Sequence, residues 1–133
     1  MNASSNRSLL TISRVILALA AIEHIVPALM LLFTPTWFFE NVGNFPPFNR
    51  HYMGDTGAFL LGLGLVLALA VRRPFEYRGA IAAAAIGNLV HLGNHLYDDY
   101  LSNAWSLDHF LSETLSLILV PLLLFGVYLV LKR

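Results

Sequence analysis

The sequence predicts an all-α fold, a four-transmembrane-helix bundle with both termini cytoplasmic. Three observations carry that expectation. Hydrophobic residues make up 57 % of the 133 residues and charged residues only 12 %, where a soluble domain carries about 25 % charged residues. Four apolar stretches reach the length of about 20 residues that crosses a bilayer. Basic residues gather beside alternate ends of those stretches, as the positive-inside rule requires. Lipid can face so much apolar surface directly, and water cannot.

The chain reads as a single integral membrane domain, residues 1–133, with spans at about 9–33, 52–71, 79–97 and 107–131. The first span holds Glu23, His24 and Pro27. Arg7 and Arg14 precede it, and Ala18-Leu19-Ala20 faintly resembles a signal peptidase site. The apolar run continues to Phe33, which is too long for a signal sequence, so a retained helix is expected. The linker 34–51 carries Pro35, Gly43, Pro46 and Pro47, which break helices. The second span is nearly pure Leu, Gly, Ala and Val after Asp55, and Arg72-Arg73-Pro74 ends it sharply. The third span is alanine-rich first and polar later, and 98–106 joins it to the fourth, with Asp98 and Asp99 as solvated loop charges. No repeat or low-complexity tract is visible.

Charge sets the orientation. Arg7 and Arg14 flank the first span, Arg72, Arg73 and Arg78 fill the second linker, and Lys132 and Arg133 end the chain. All of these fall on the cytoplasmic side if the chain is a multi-pass protein of the inner (plasma) membrane. Trp37, Phe38, Phe39, Phe45, Phe48, Tyr97, Tyr100 and Trp105 then form an aromatic belt at the outer interface. Glycines crowd the second and third spans and are expected to let helix backbones approach closely.

Composition excludes several functions. Net charge is zero and no basic run exceeds two residues, so the sequence supplies no concentrated positive face of the kind nucleic acid binding needs. The absence of cysteine removes disulfides, iron–sulfur clusters, thiolate zinc sites and covalently attached haem.

Ionisable groups inside spans cost roughly 2.5–3.5 kcal/mol each on insertion scales, yet this chain gathers them. Glu23 and His24 lie mid-span. His51 and Asp55 start the second span. Asn88, His91, Asn94, His95 and Asp98 occupy the outer part of the third. Asp108, His109, Ser112 and Glu113 start the fourth. All lie in the outer half or near the midplane. His51/Asp55, His91/His95 and His109/Glu113 are i, i+4 pairs that share a helical face. Asn88, His91, His95 and Asp98 form one stripe. Pro27 releases the Glu23 carbonyl from its helical bond.

Three chemistries fit this set. A transition metal (zinc, iron or copper) suits a first shell of His91, His95, His109 and Glu113. Glu23, His24, His51, Asp55 and Asn88 would then be further ligands or would orient the histidines. A haem with His91 and His109 as axial ligands is a variant of the same idea. The second chemistry is proton handling for a quinone or along a transport path. The third is structural: hydrogen-bonded and ion-paired groups that only fix helix register.

Asn49-Arg50-His51-Tyr52-Met53-Gly54-Asp55-Thr56-Gly57-Ala58, then a Leu/Gly-rich helix and His91-Leu92-Gly93-Asn94-His95, resembles a family of uncharacterised bacterial four-helix integral membrane proteins. In those an N-x-H-x-x-x-D-x-G-A segment precedes the second span and a histidine pair closes the third. The general plan resembles the DoxX-like group. The resemblance spans roughly residues 10–131 as topology and 51–95 as motif. It implies redox or redox-accessory chemistry near membrane quinones, and it carries over no catalytic residue. The expected function is a metal- or quinone-linked redox role with a quinone or membrane redox partner. The alternative is a non-enzymatic membrane-complex subunit or a small proton or ion transporter.

Overall fold

The computed structural model describes residues 3–43 and 46–132, and the side chains at 3–5, 112 and 113 lie outside that description. The described residues are all-helical, without strands. In chain order they form α1 (Ala3–Phe33), α2 (Pro35–Asn41), α3 (Arg50–Arg72), α4 (Arg78–Ser102) and α5 (Leu107–His109). A π-helical turn (Phe110–Thr114) and α6 (Leu115–Leu131) follow.

Local chemistry sets the ends. Thr34 precedes a proline, which disfavours the helical region, and it leaves helical geometry at φ −133°, ψ 50°. Pro35 then opens α2, where its missing N–H costs nothing. The linker expected to be irregular therefore contains a short helix. Asn49 caps α3 by accepting a hydrogen bond from the Tyr52 N–H at 3.1 Å. Arg73 and Pro74 stop α3 as expected. α4 runs past the expected end at 97 to Ser102, where Asn103 takes the left-handed conformation at φ 54°. Ser106 caps the last helical run through the His109 N–H at 3.1 Å. That run continues unbroken through the π turn to Leu131.

α1 packs chiefly on α3, and α4 on α6; lighter contacts join α1 to α6 and α3 to α4. α1 and α4 share no such contact, so they face each other across the diagonal. The α1–α3 seam is antiparallel and tight. A Cβ on Gly57 would sit 3.0 Å from the Ala28 carbonyl oxygen, and one on Gly64 would sit 2.6 Å from Ile25 Cγ1. These two glycines meet the expectation of close approach. Gly54, Gly62, Gly79, Gly87 and Gly93 have open space where a Cβ would go.

The buried core is Leu17, Ala20 and Ala21 of α1, Leu67 and Ala70 of α3, Ile81, Ala84 and Ala85 of α4, and Leu124, Val127 and Leu131 of α6. These residues fill the half of the molecule nearer the first turns of α1 and the last turn of α6. Large apolar side chains also cover the outside, with Phe59 80 % and Phe33 77 % exposed. Two helices are long and apolar enough to cross a membrane, Asn6–Phe33 and Arg50–Arg72, with mean hydropathies of 2.3 and 1.9. Only 33 % and 22 % of their apolar windows are buried in the fold, unlike the core helix of a soluble domain. Trp37, Tyr97, Tyr100 and Trp105 are exposed at the opposite end; Phe45 of the expected aromatic belt lies outside the described residues.

The seam makes a prediction. Gly64→Ala forces a methyl into Ile25 and the α1 backbone, and should cost about 1–3 kcal/mol. Gly62→Ala meets open space and should be neutral or stabilising by up to about 1 kcal/mol. Unfolding in mixed detergent micelles measures both; equal effects would contradict the seam.

Candidate functional site

The polar residues begin where the apolar core stops. His24 is 3 % exposed. Its Nδ1 lies 2.7 Å from the Ala20 carbonyl oxygen and 2.8 Å from Glu23 Oε2. Its Nε2 lies 3.1 Å from Asn88 Nδ2. Asn88 Nδ2 also donates to the Ala84 carbonyl oxygen at 2.9 Å. A carbonyl can only accept, so the Ala84 contact fixes which way the amide faces. Asn88 then uses one N–H on Ala84 and the other on His24. His24 must accept at Nε2 and carry its proton on Nδ1, which donates to Ala20 and Glu23. Every contact is satisfied with a neutral imidazole. Because α1 and α4 are diagonal, this bond crosses the middle of the helix assembly. Alanines at 20, 21, 84 and 85, all buried, leave room for the two side chains to meet.

One turn along α4, His91 lies within electrostatic reach of Glu23, His24 and His95. The His91 and His95 rings meet edge to face, with centroids 4.6 Å apart and planes at 79°. One further turn brings Asp99, 6 % exposed. Its Oδ1 accepts a hydrogen bond from His109 Nε2 at 2.8 Å. Its Oδ2 is buried, with no hydrogen-bond partner among the described residues. The π turn begins immediately after His109, and such turns concentrate at functional sites.

Asp99 corrects the sequence reading. It is not a solvated loop charge; α4 continues through it and buries it against His109. The stripe on α4 is therefore Asn88, His91, His95 and Asp99, at spacings of three, four and four. Asp98 points elsewhere and accepts from Asn94 at 3.2 Å, in an exposed pair. Asn103, a residue that favours the left-handed helix end, was the sequence signal that α4 runs past 99.

The remaining candidates are placed as follows. His51 and Asp55 form their own i, i+4 pair at 3.5 Å, with side chains 89 % and 60 % exposed. A pair so exposed contributes little. Glu23 is partly exposed beside His24. His109 turns to Asp99, and the Glu113 side chain lies outside the described residues. Among the described residues no three His, Asp or Glu side chains gather closely enough to hold a metal. No family model matches the chain, and no curated protein or solved structure is similar to it.

The central bond can be tested by a double-mutant cycle. His24→Leu strands an Asn88 N–H and Asn88→Leu strands His24 Nε2, so each should cost about 1–3 kcal/mol. Removing both strands neither, and the double variant should cost clearly less than the sum. Additivity within about 0.5 kcal/mol would mean that the two side chains do not interact.

Proposed function

We propose that the chain crosses the inner (plasma) membrane four times, with cytoplasmic termini, and handles protons for quinone-linked redox chemistry. The DoxX-like resemblance supports this reading. So do the exposed apolar faces, the basic residues at the termini end and the exposed Trp and Tyr side chains at the other. The observation that carries it is the one-sided polar ladder. From Asn88 to Asp99 it rises about 16 Å, half of the roughly 30 Å hydrocarbon thickness. It then stops at His24 and Glu23, above a core of Leu, Ile, Val and Ala.

A ladder that ends mid-bilayer does not serve a transporter, which needs a polar path through the full thickness. It serves a reactant that arrives through the lipid. A quinol is such a reactant: its oxidation releases protons, which His91, His95, His109 and Asp99 would pass outward. Its electrons would go to a membrane redox partner. On this reading the chain is a proton-handling, non-enzymatic subunit of that pair.

The adjacent His91 and His95 rings favour a second reading, in which they bind zinc, iron or copper together with His109 and Glu113, or in which His91 and His109 are the axial ligands of a haem iron.

A photoreactive quinone analogue separates these readings in lipid nanodiscs. It should label peptides around Glu23 and His91, be displaced by unmodified quinone, and lose most labelling in His91→Ala. Labelling that quinone does not displace would sink the first reading. A stoichiometric metal in the purified protein, or a Soret band, lost in a His91→Ala/His95→Ala variant, would put the second in its place.

A further inference from the structure

The end of the molecule opposite the polar ladder holds a cavity of about 550 Å³. Asn6, Arg7, Leu9 and Leu10 of α1 form one wall, Phe75 of the α3–α4 turn another, and Val130 and Leu131 of α6 the third. Its size falls in the range of small-molecule sites. The lining divides by chemistry. Leu131 is buried and Leu9, Leu10 and Val130 are half-buried, while Asn6, Arg7 and Phe75 stand exposed at the rim. No carboxylate among the described residues lies within ion-pair distance of Arg7. An apolar slot under a guanidinium is amphipathic in the same sense as one lipid.

The surrounding charge has one sign. Of eight basic residues in the chain, six described ones fall at or near this end of the molecule: Arg7, Arg14, Arg72, Arg73, Arg78 and Lys132. Of eight acidic residues only Glu76 does, and it is bonded to Arg73 at 3.2 Å. Arg78 is also engaged, 5.7 Å from the Tyr128 ring centre. A ligand drawn here is anionic at its head. Basic pockets between membrane helices on the cytoplasmic side hold anionic lipid head groups, and guanidinium suits phosphate.

We infer that this cavity binds one anionic phospholipid, its phosphate on Arg7 and an acyl chain against Leu9, Leu10, Phe75, Val130 and Leu131. The lipid ties the first turn of α1 to the last turn of α6 and to the α3–α4 turn. The site shares the membrane orientation of the proposed function and none of its residues. Loss of quinone labelling therefore leaves it standing, and the reverse also holds.

Native mass spectrometry of the full chain, with phosphatidylglycerol and phosphatidylcholine of identical acyl chains, tests it. The wild type should retain one phosphatidylglycerol in preference to phosphatidylcholine. Arg7→Gln should weaken that retention about fivefold, the factor corresponding to ~1 kcal/mol per basic residue near the surface. Arg14→Gln, which removes equal charge outside the cavity, should leave it unchanged. Leu10→Trp should fill the slot and lower retention of both lipids; Arg7→Gln keeps the test decisive if that variant fails to fold. Equal retention of the two lipids, or equal losses from Arg7→Gln and Arg14→Gln, would overturn the site.

Discussion

The hydrogen bond between His24 and Asn88 spans the one helix pair that backbone packing leaves apart. α1 rests on α3 and α6, as α4 does, so the diagonal between α1 and α4 must be filled by side chains. Below the bond, Leu17, Ile81, Leu124 and Val127 fill it. At the level of the bond, an imidazole and an amide fill it instead. Away from water a polar atom needs a partner, and the Ala20 and Ala84 carbonyls accept from His24 Nδ1 and Asn88 Nδ2. The result is directional in a way that apolar packing is not. It admits one orientation of the amide and one tautomer of the imidazole, and it fixes the height at which α4 meets α1. The rest of the α4 stripe takes its place from that height.

The pattern of elements was legible because helix ends have local causes. The Asn49 cap, the Arg72-Arg73-Pro74 stop and the break before Pro35 each rest on neighbouring residues. Two features escaped for opposite reasons. Proline breaks helix interiors, but at the first position of a helix the missing N–H of Pro35 is no loss. Two adjacent acids, Asp98 and Asp99, resemble a loop in sequence, and only burial of Asp99 against His109 shows otherwise. The cluster was visible as composition and spacing, yet its wiring was not. Spacing states which residues share a face of one helix, and says nothing of which faces meet. His24 and Asn88 are 64 positions apart, so no local pattern joins them. The i, i+4 rule paired His51 with Asp55 correctly, but could not show that the pair looks outward.

Glycine spacing shows the same limit. Gly57 and Gly64 lie seven apart, two helical turns, and both are pressed against α1. Gly62 lies between them on the open side of the same helix. In sequence the three are equivalent small residues in an apolar run. Only the partner helix distinguishes them, and it does so through an antiparallel register in which Gly64 sits opposite Ala21 and Ile25, beside the turn that carries Glu23 and His24. The tight seam and the polar site thus adjoin. Close approach of α3 braces the segment of α1 whose carbonyl and imidazole must hold still for Asn88.

A consequence follows for where charge can move. His24 is engaged at both ring nitrogens, so it cannot take a proton at Nε2 without losing Asn88 as a donor. Glu23 and His91 are its neighbours with exposed atoms. Asp99, buried against His109, is the acidic group at the far end of the stripe. The histidines at 91 and 95 lie between them, ring against ring. A structural pin at the bottom, a carboxylate buried against His109 at the top and two imidazoles meeting edge to face in between form an arrangement that helix register alone does not require. Register needs the pin; it does not need a second polar pair and two more histidines above it.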